Sequence, residues 1–139
     1  MPDRDYSHRD IVDKLGIKPS TTVAFDEQAG ALDKTLRAKV LARTGRAPAE
    51  PDEPADVVLV SLHAGAGAIK VLTLWRSRIK SNGGIWLLTP KSGQPGYIDQ
   101  RELILAGAEA GLVDNKSCSV DDVTSGMRFV IRKSDRPEI

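Results

Sequence analysis

The side chains of this 139-residue chain that could do chemistry sit at a few spaced positions: Asp26 and Glu27, Ser61 and His63, Thr89 and Lys91, and Tyr97. Each follows, or lies at the end of, a segment that reads as a β-strand or its outgoing loop. A carboxylate, an imidazole, a hydroxyl and an ammonium gathered on one rim could perform acid/base work. The plainer reading is that strands end in water, so polar residues collect there without a task. His63 is the residue to test first, because imidazole titrates near neutrality. Ser61 lies two residues earlier, where alternate strand residues share a face. No G-x-S-x-G elbow surrounds it, so a Ser-His hydrolase is not expected.

His63-Ala-Gly-Ala-Gly67 opens a helix with small residues. Gly65 and Gly67 would leave free amides at the helix start, where an anion could dock. The Gly-Lys-Ser/Thr ending of a phosphate loop is missing, and small residues also let a helix pack close to a sheet. Lys91 to Tyr97 holds two glycines and a proline. It reads as a connecting loop, or as a lid over the rim with Tyr97 as a stacking group. No set of His, Cys and acids has metal-ligand spacing. Trp75, Trp86 and the lone Cys118 fall at positions expected to be core.

Regular elements must position these groups. Ser7 reads as the cap of a short helix that has Asp10 as its partner carboxylate and Gly16 as its stop. Thr21 to Asp26 reads as a β-branched strand. Ala31 to Arg43 reads as a helix, with Leu32, Leu36 and Val40 four apart and Gly45 beyond its end. Arg46 to Ala55 reads as a linker within a single domain of residues 1–139; Pro48, Pro51 and Pro54 would share one side of a polyproline II helix. Asp56 to Leu62 is nearly all apolar, the mark of a central parallel strand covered on both faces. A helix over Ala66 to Ile79 follows, with a stripe of Ala68, Leu72, Trp75 and Ile79. Lys80 to Gly84 reads as a turn and Ile85 to Thr89 as a second apolar strand. Asp99 and Glu102 make a capping box for a helix ending at Gly111. Leu112 to Val120 and Gly126 to Lys133 read as strands, the second with Met127, Phe129 and Ile131 inward and Arg128 and Arg132 outward. Strand-helix alternation gives right-handed parallel crossovers, and the short final connection gives an antiparallel pair. The expected fold is α/β: three layers around a mostly parallel five-stranded sheet with a C-terminal antiparallel hairpin.

Composition bounds the partners. Hydrophobic residues make up 40%, charged residues 28%, and the net charge is +1, so no general field draws the chain to nucleic acid or anionic lipid. Arg37, Lys39, Arg43 and Arg46 cluster, as do Arg76, Arg78 and Lys80, but aromatics are only 4% and stacking platforms are lacking. No apolar run approaches the ~20 residues needed to span a bilayer, the first residues are polar, and one cysteine excludes an internal disulfide. The cytoplasm is the expected compartment.

The chain from Asp56 onward resembles the C-terminal half of class I, S-adenosylmethionine-dependent methyltransferases. The matching elements are the strand of D-V-V-L-V form, the helix, Lys80-Ser-Asn-Gly-Gly84 leading into an apolar strand, the helix ending Glu109-Ala-Gly111-Leu, and the antiparallel hairpin. Lys14-Leu-Gly-Ile-Lys-Pro19 resembles the lead-in to that family's first strand, so the likeness covers about two-thirds of the chain. It implies a Rossmann-like fold and an acid, Asp26, at the end of the first strand. The family's glycine-rich turn is reduced to the single Gly30. Between Glu27 and Asp56 there is room for one helix and a linker, not for the family's second and third strands or for the acid that grips the cofactor ribose. The segments Leu87 to Lys91 and Leu112 to Cys118 also resemble small bacterial proteins known as a domain of unknown function. The expectation is a non-catalytic interaction module on a reduced methyltransferase-like fold, holding no cofactor and binding a protein partner or a second copy through the strand edge left by the deletion. The alternative is a small-molecule or nucleotide binder, or a residual methyltransferase, using the rim. The candidate rim residues are Asp26, Glu27, Ser61, His63, Gly65, Gly67, Thr89, Lys91 and Tyr97.

Overall fold

The computed structural model describes residues 10–27 and 29–136. The helices are α1 (Ile11–Lys14), α2 (Lys34–Thr44), α3 (Ala68–Arg76) and α4 (Gln100–Glu109). The strands are β1 (Val23–Asp26), β2 (Ala55–Ser61), β3 (Ile79–Pro90), β4 (Leu112–Ser119) and β5 (Thr124–Ile131). They form one five-stranded sheet in the order β1-β2-β3-β5-β4. The β1–β2 and β2–β3 pairs are parallel, while β5 is antiparallel to both β3 and β4. Four strands therefore run one way and β5 alone runs back, as the expected hairpin requires.

Side-chain alternation along the strands divides the core. Ala24, Val58, Val60, Ile85, Leu87 and Phe129 face α3 and α4. Val23, Val57, Leu59, Trp86 and Leu88 face α1 and α2, meeting Leu15, Leu36 and Val40. Both faces of β2 and β3 are covered, which is why their sequences are continuously apolar. On the α1 face, the buried indole N–H of Trp86 donates to the Leu15 carbonyl at 3.1 Å and pins the end of the short helix.

Helix boundaries follow local chemistry. The Asp10 carboxylate accepts from the Val12 N–H and is itself the cap of α1; the expected cap, Ser7, lies outside the described residues. Asp33 caps α2 through the Leu36 N–H at 3.0 Å, so that helix starts three residues later than its apolar spacing suggests. Gly45 ends it in the left-handed region at φ 67°.

Two expectations are corrected. Residues 80–84 do not form a turn. They belong to β3, where the step from Ile79 to Gly84 is matched on β2 by the step from Ala55 to Val57. The Ser-Asn-Gly-Gly chemistry makes a bulge inside a strand, and Ile79 pairs in the sheet rather than closing α3. The proline segment is not a regular polyproline II helix either. The Glu53 N–H bonds to the Glu50 carbonyl at 2.9 Å, closing a turn with Pro51 at its second position, where a fixed φ fits. The rest of that segment lies along β1, with the Ala49 N–H donating to the Val23 carbonyl at 2.8 Å.

Candidate functional site

The carboxyl ends of β1, β2 and β3 form the rim where open α/β sheets bind ligands. Asp26, the last residue of β1, is 6% exposed. Its carboxylate accepts from the indole Nε1 of Trp75 on α3 at 2.6 Å and from the Ala29 N–H at 3.2 Å. Trp75 is thus half-buried and polar in its work, where its helical spacing predicts plain core. Gly30, just beyond, presses on the end of β2: a Cβ there would lie 2.8 Å from the Ser61 carbonyl oxygen. The turn after β1 is therefore folded down onto the sheet.

A cavity of about 500 Å³ flanks the outer edge of β1. Asp26 and Glu27 line it with Phe25, Trp75, Pro48 and Pro51. Two guanidiniums cover its aromatic rings, Arg37 over Phe25 at 4.9 Å and Arg78 over Trp75 at 5.5 Å. Arg37 Nε is buried without a hydrogen-bond partner, 3.9 Å from the Glu27 carboxylate. Glu53 also lines the cavity, and Arg46 grips it with two bonds of 2.8 and 3.0 Å while also donating to the Thr22 hydroxyl. The Glu50 N–H first, and then the Arg46 guanidinium, hold the Glu53 carboxyl below its usual range against the opposing effect of burial.

Ser61 and His63 do not share a face, because β2 ends at Ser61 and strict alternation ends with it. Ser61 opens beside the start of α2, near Leu32, Leu88 and Asp121. His63 lies on the α3–α4 side in an apolar groove of about 480 Å³ with Gly65, Gly67, Ile69, Glu102 and Leu105. Its Nδ1 is 3.0 Å from the carbonyl oxygen of its neighbour Ala64, and it has no nucleophile as a partner. Gly65 and Gly67 adopt φ values of 86° and 80°, which bend the chain into α3.

Thr89, Lys91 and Tyr97 do come together, in a cavity of about 580 Å³ between the end of β3, the β4–β5 hairpin and the start of α4. The loop between Lys91 and Tyr97 is fastened rather than poised as a lid. The Gln94 N–H bonds to the Lys91 carbonyl, the Tyr97 N–H to the Gln94 carbonyl, and the Ala64 N–H to the Gly96 carbonyl. It forms a wall between this cavity and the His63 groove, with Ile98 and Leu103 lining both. Cys118 borders the cavity, and burial pushes its thiol above the ordinary value, so it is an unreactive half-buried group. The nine rim residues thus divide among four cavities. Among the described residues no group of His, Cys, Asp and Glu could hold a metal ion, and no helix is long and apolar enough to cross a membrane.

The fold is similar to that of solved methyltransferase structures. CalO1, described as a methyltransferase in calicheamicin biosynthesis, is 21% identical with a TM-score of 0.59, covering 88% of this chain and 52% of its own. A putative methyltransferase from Thermoplasma acidophilum is 12% identical with a TM-score of 0.59, covering 96% of this chain and 76% of its own. A TehB-like SAM-dependent methyltransferase from Corynebacterium glutamicum is 9% identical with a TM-score of 0.54, covering 88% and 85%. At these identities the likeness shows the fold: Rossmann-like and methyltransferase-like. This chain spans about half the length of CalO1. By sequence, the uncharacterized protein Rv2239c of Mycobacterium tuberculosis is 33% identical over 128 residues, 87% of this chain and 78% of that protein. An uncharacterized protein of Mycobacterium bovis, Mb2263c, matches to the same extent. A family profile covers residues 12–133, and the chain belongs to that family, described as a protein of unknown function, DUF3052.

Proposed function

We propose that this chain is a non-catalytic binding module built on a methyltransferase-like scaffold that does not take S-adenosylmethionine. One observation carries this reading. Asp26 closes the edge strand of the sheet, and its buried carboxylate is committed to Trp75 and Ala29. Beyond β1 lies the proline segment, with Ala49 bonded to Val23, and no further strand among the described residues supplies a second acid for a ribose. A nucleoside would have to displace the Trp75 bond, and among the described residues no acid at the end of a neighbouring strand beyond β1 would receive its sugar hydroxyls. The cytoplasm is the compartment we assign, supported by the single half-buried cysteine.

A thermal-shift titration with S-adenosylmethionine and S-adenosylhomocysteine tests it. A ligand at 100 times its dissociation constant would stabilise the fold by about 2.7 kcal/mol, several degrees for a domain of this size. The expected result is no resolvable shift with either. A saturable rise in Tm with S-adenosylhomocysteine would contradict the reading.

A second copy of the chain is the partner favoured by one feature. In the parallel β1–β2 register, Thr22 bonds toward β2 and Val23 outward, so Phe25 also presents its N–H and C=O outward. Neither has a backbone partner among the described residues, which leaves a short stretch of edge open to pairing.

A further inference from the structure

The cavity at the end of β3 contains an unspent hydrogen-bonding group. Thr89 is 5% exposed, lines the cavity, and its hydroxyl has no hydrogen-bond partner among the described residues. Its oxygen keeps contact with the cavity's solvent, so it is free to bond a ligand or a bridging water there. Its surroundings say which kind. Thr89 pairs across the sheet with Ser125, and Ser125 pairs with Ser119, so three hydroxyls stand side by side on the α4 face. Directly opposed residues on neighbouring strands lie ~5 Å apart. Lys91 reaches the far end of this row, its ammonium donating to Ser119 Oγ at 2.8 Å. Ser119 in turn donates to the Asp121 carbonyl at 3.3 Å, which fixes its lone pairs toward the lysine. The two remaining ammonium protons have no partner among the described residues.

The apolar part of the lining comes from Ile98 and Leu103 at α4 and from Met127, two residues along β5 from Ser125. Asp99 also lines it, but one of its carboxylate oxygens is taken by the Arg101 N–H at the start of α4. One cation facing one carboxylate disfavours a multiply charged anion. We infer that this cavity is a binding site for a small organic monocarboxylate with a hydrocarbon body. The carboxylate lies on Lys91, Thr89 and Ser125, and the hydrocarbon lies on Ile98, Leu103 and Met127. The cavity of about 580 Å³ falls within the ordinary range for small-molecule sites. The inference names the ligand for the binding-module reading and rests on it.

The test is a titration of the isotope-labelled protein with 4-methylpentanoate and with its neutral amide, followed by backbone amide resonances. The acid should produce saturable shifts centred on Thr89, Ser119 and Ser125, and the amide should bind at least tenfold more weakly. Lys91→Met should weaken the acid at least tenfold. Thr89→Val, nearly the same shape, should also weaken it, while the ligand-free variant melts close to the parent because the hydroxyl it loses bonds no other described residue. The inference is overturned by absence of saturation with the acid, by equal binding of acid and amide, by unchanged binding in Lys91→Met, or by a Thr89→Val protein that is destabilised yet binds normally. None of these outcomes depends on the S-adenosylhomocysteine titration, so the two readings fail separately.

Discussion

Trp75 carries more of the account than any other single side chain. A tryptophan four residues from the next apolar position on a helix reads as core, and half of it is. Its indole nitrogen instead satisfies Asp26. Trp75→Phe keeps the ring and removes the donor, leaving a buried carboxylate oxygen short of one bond. The expected cost is ~1–3 kcal/mol, read as a lowered urea midpoint with an unchanged slope. Asp56 offers a second test. Burial works to raise its carboxyl, but the Thr22 N–H at 2.9 Å and the Lys80 ammonium at 2.9 Å outweigh it, and the net direction is down. A carboxyl depressed in the folded state stabilises above its unfolded value and loses that contribution as pH falls through the folded one. Stability should therefore decline below about pH 4, and Asp56→Asn should flatten that part of the profile in denaturation curves taken at successive pH values.

At the scale of elements, the close approach of α4 to β5 depends on Gly107. A Cβ there would overlap the Phe129 ring, which is fully buried. Gly107→Ala should cost ~1–3 kcal/mol through overpacking, despite alanine's better helix propensity, as measured by thermal or urea unfolding. The order of elements was legible in the chain because β2 and β3 are apolar on both faces and the helices carry clear caps and stops. What was not legible was set by partners distant in sequence. Residues 80–84 have turn chemistry, yet the neighbouring Ala55 carbonyl and the β2 register draw them into a strand as a bulge. The rim was legible only as a list. His63 and Ser61 part because β2 ends between them, and Trp75 and Ser125 were missed because their roles exist only across elements. The thread that pointed to the polar cavity was Thr89 followed by Lys91 at the end of an apolar strand.

At the scale of the whole molecule, the methyltransferase-like sheet stops at β1 among the described residues, and a ten-residue crossing from α2 to β2 runs along that edge. That crossing is held by the Arg46–Glu53 pair and the Ala49–Val23 bond, so only part of the β1 edge remains open. Light scattering at high protein concentration should give twice the monomer mass if the open part pairs with a second copy, and a monomer would remove that mode of association. The most direct measurement of the central claim is a crystal structure grown with excess S-adenosylhomocysteine. The account predicts the five-strand order with β1 at the edge, Trp75 bonded to Asp26, and no nucleoside beside them. An adenosyl group seated against Asp26, with the proline segment displaced to admit it, would contradict the account.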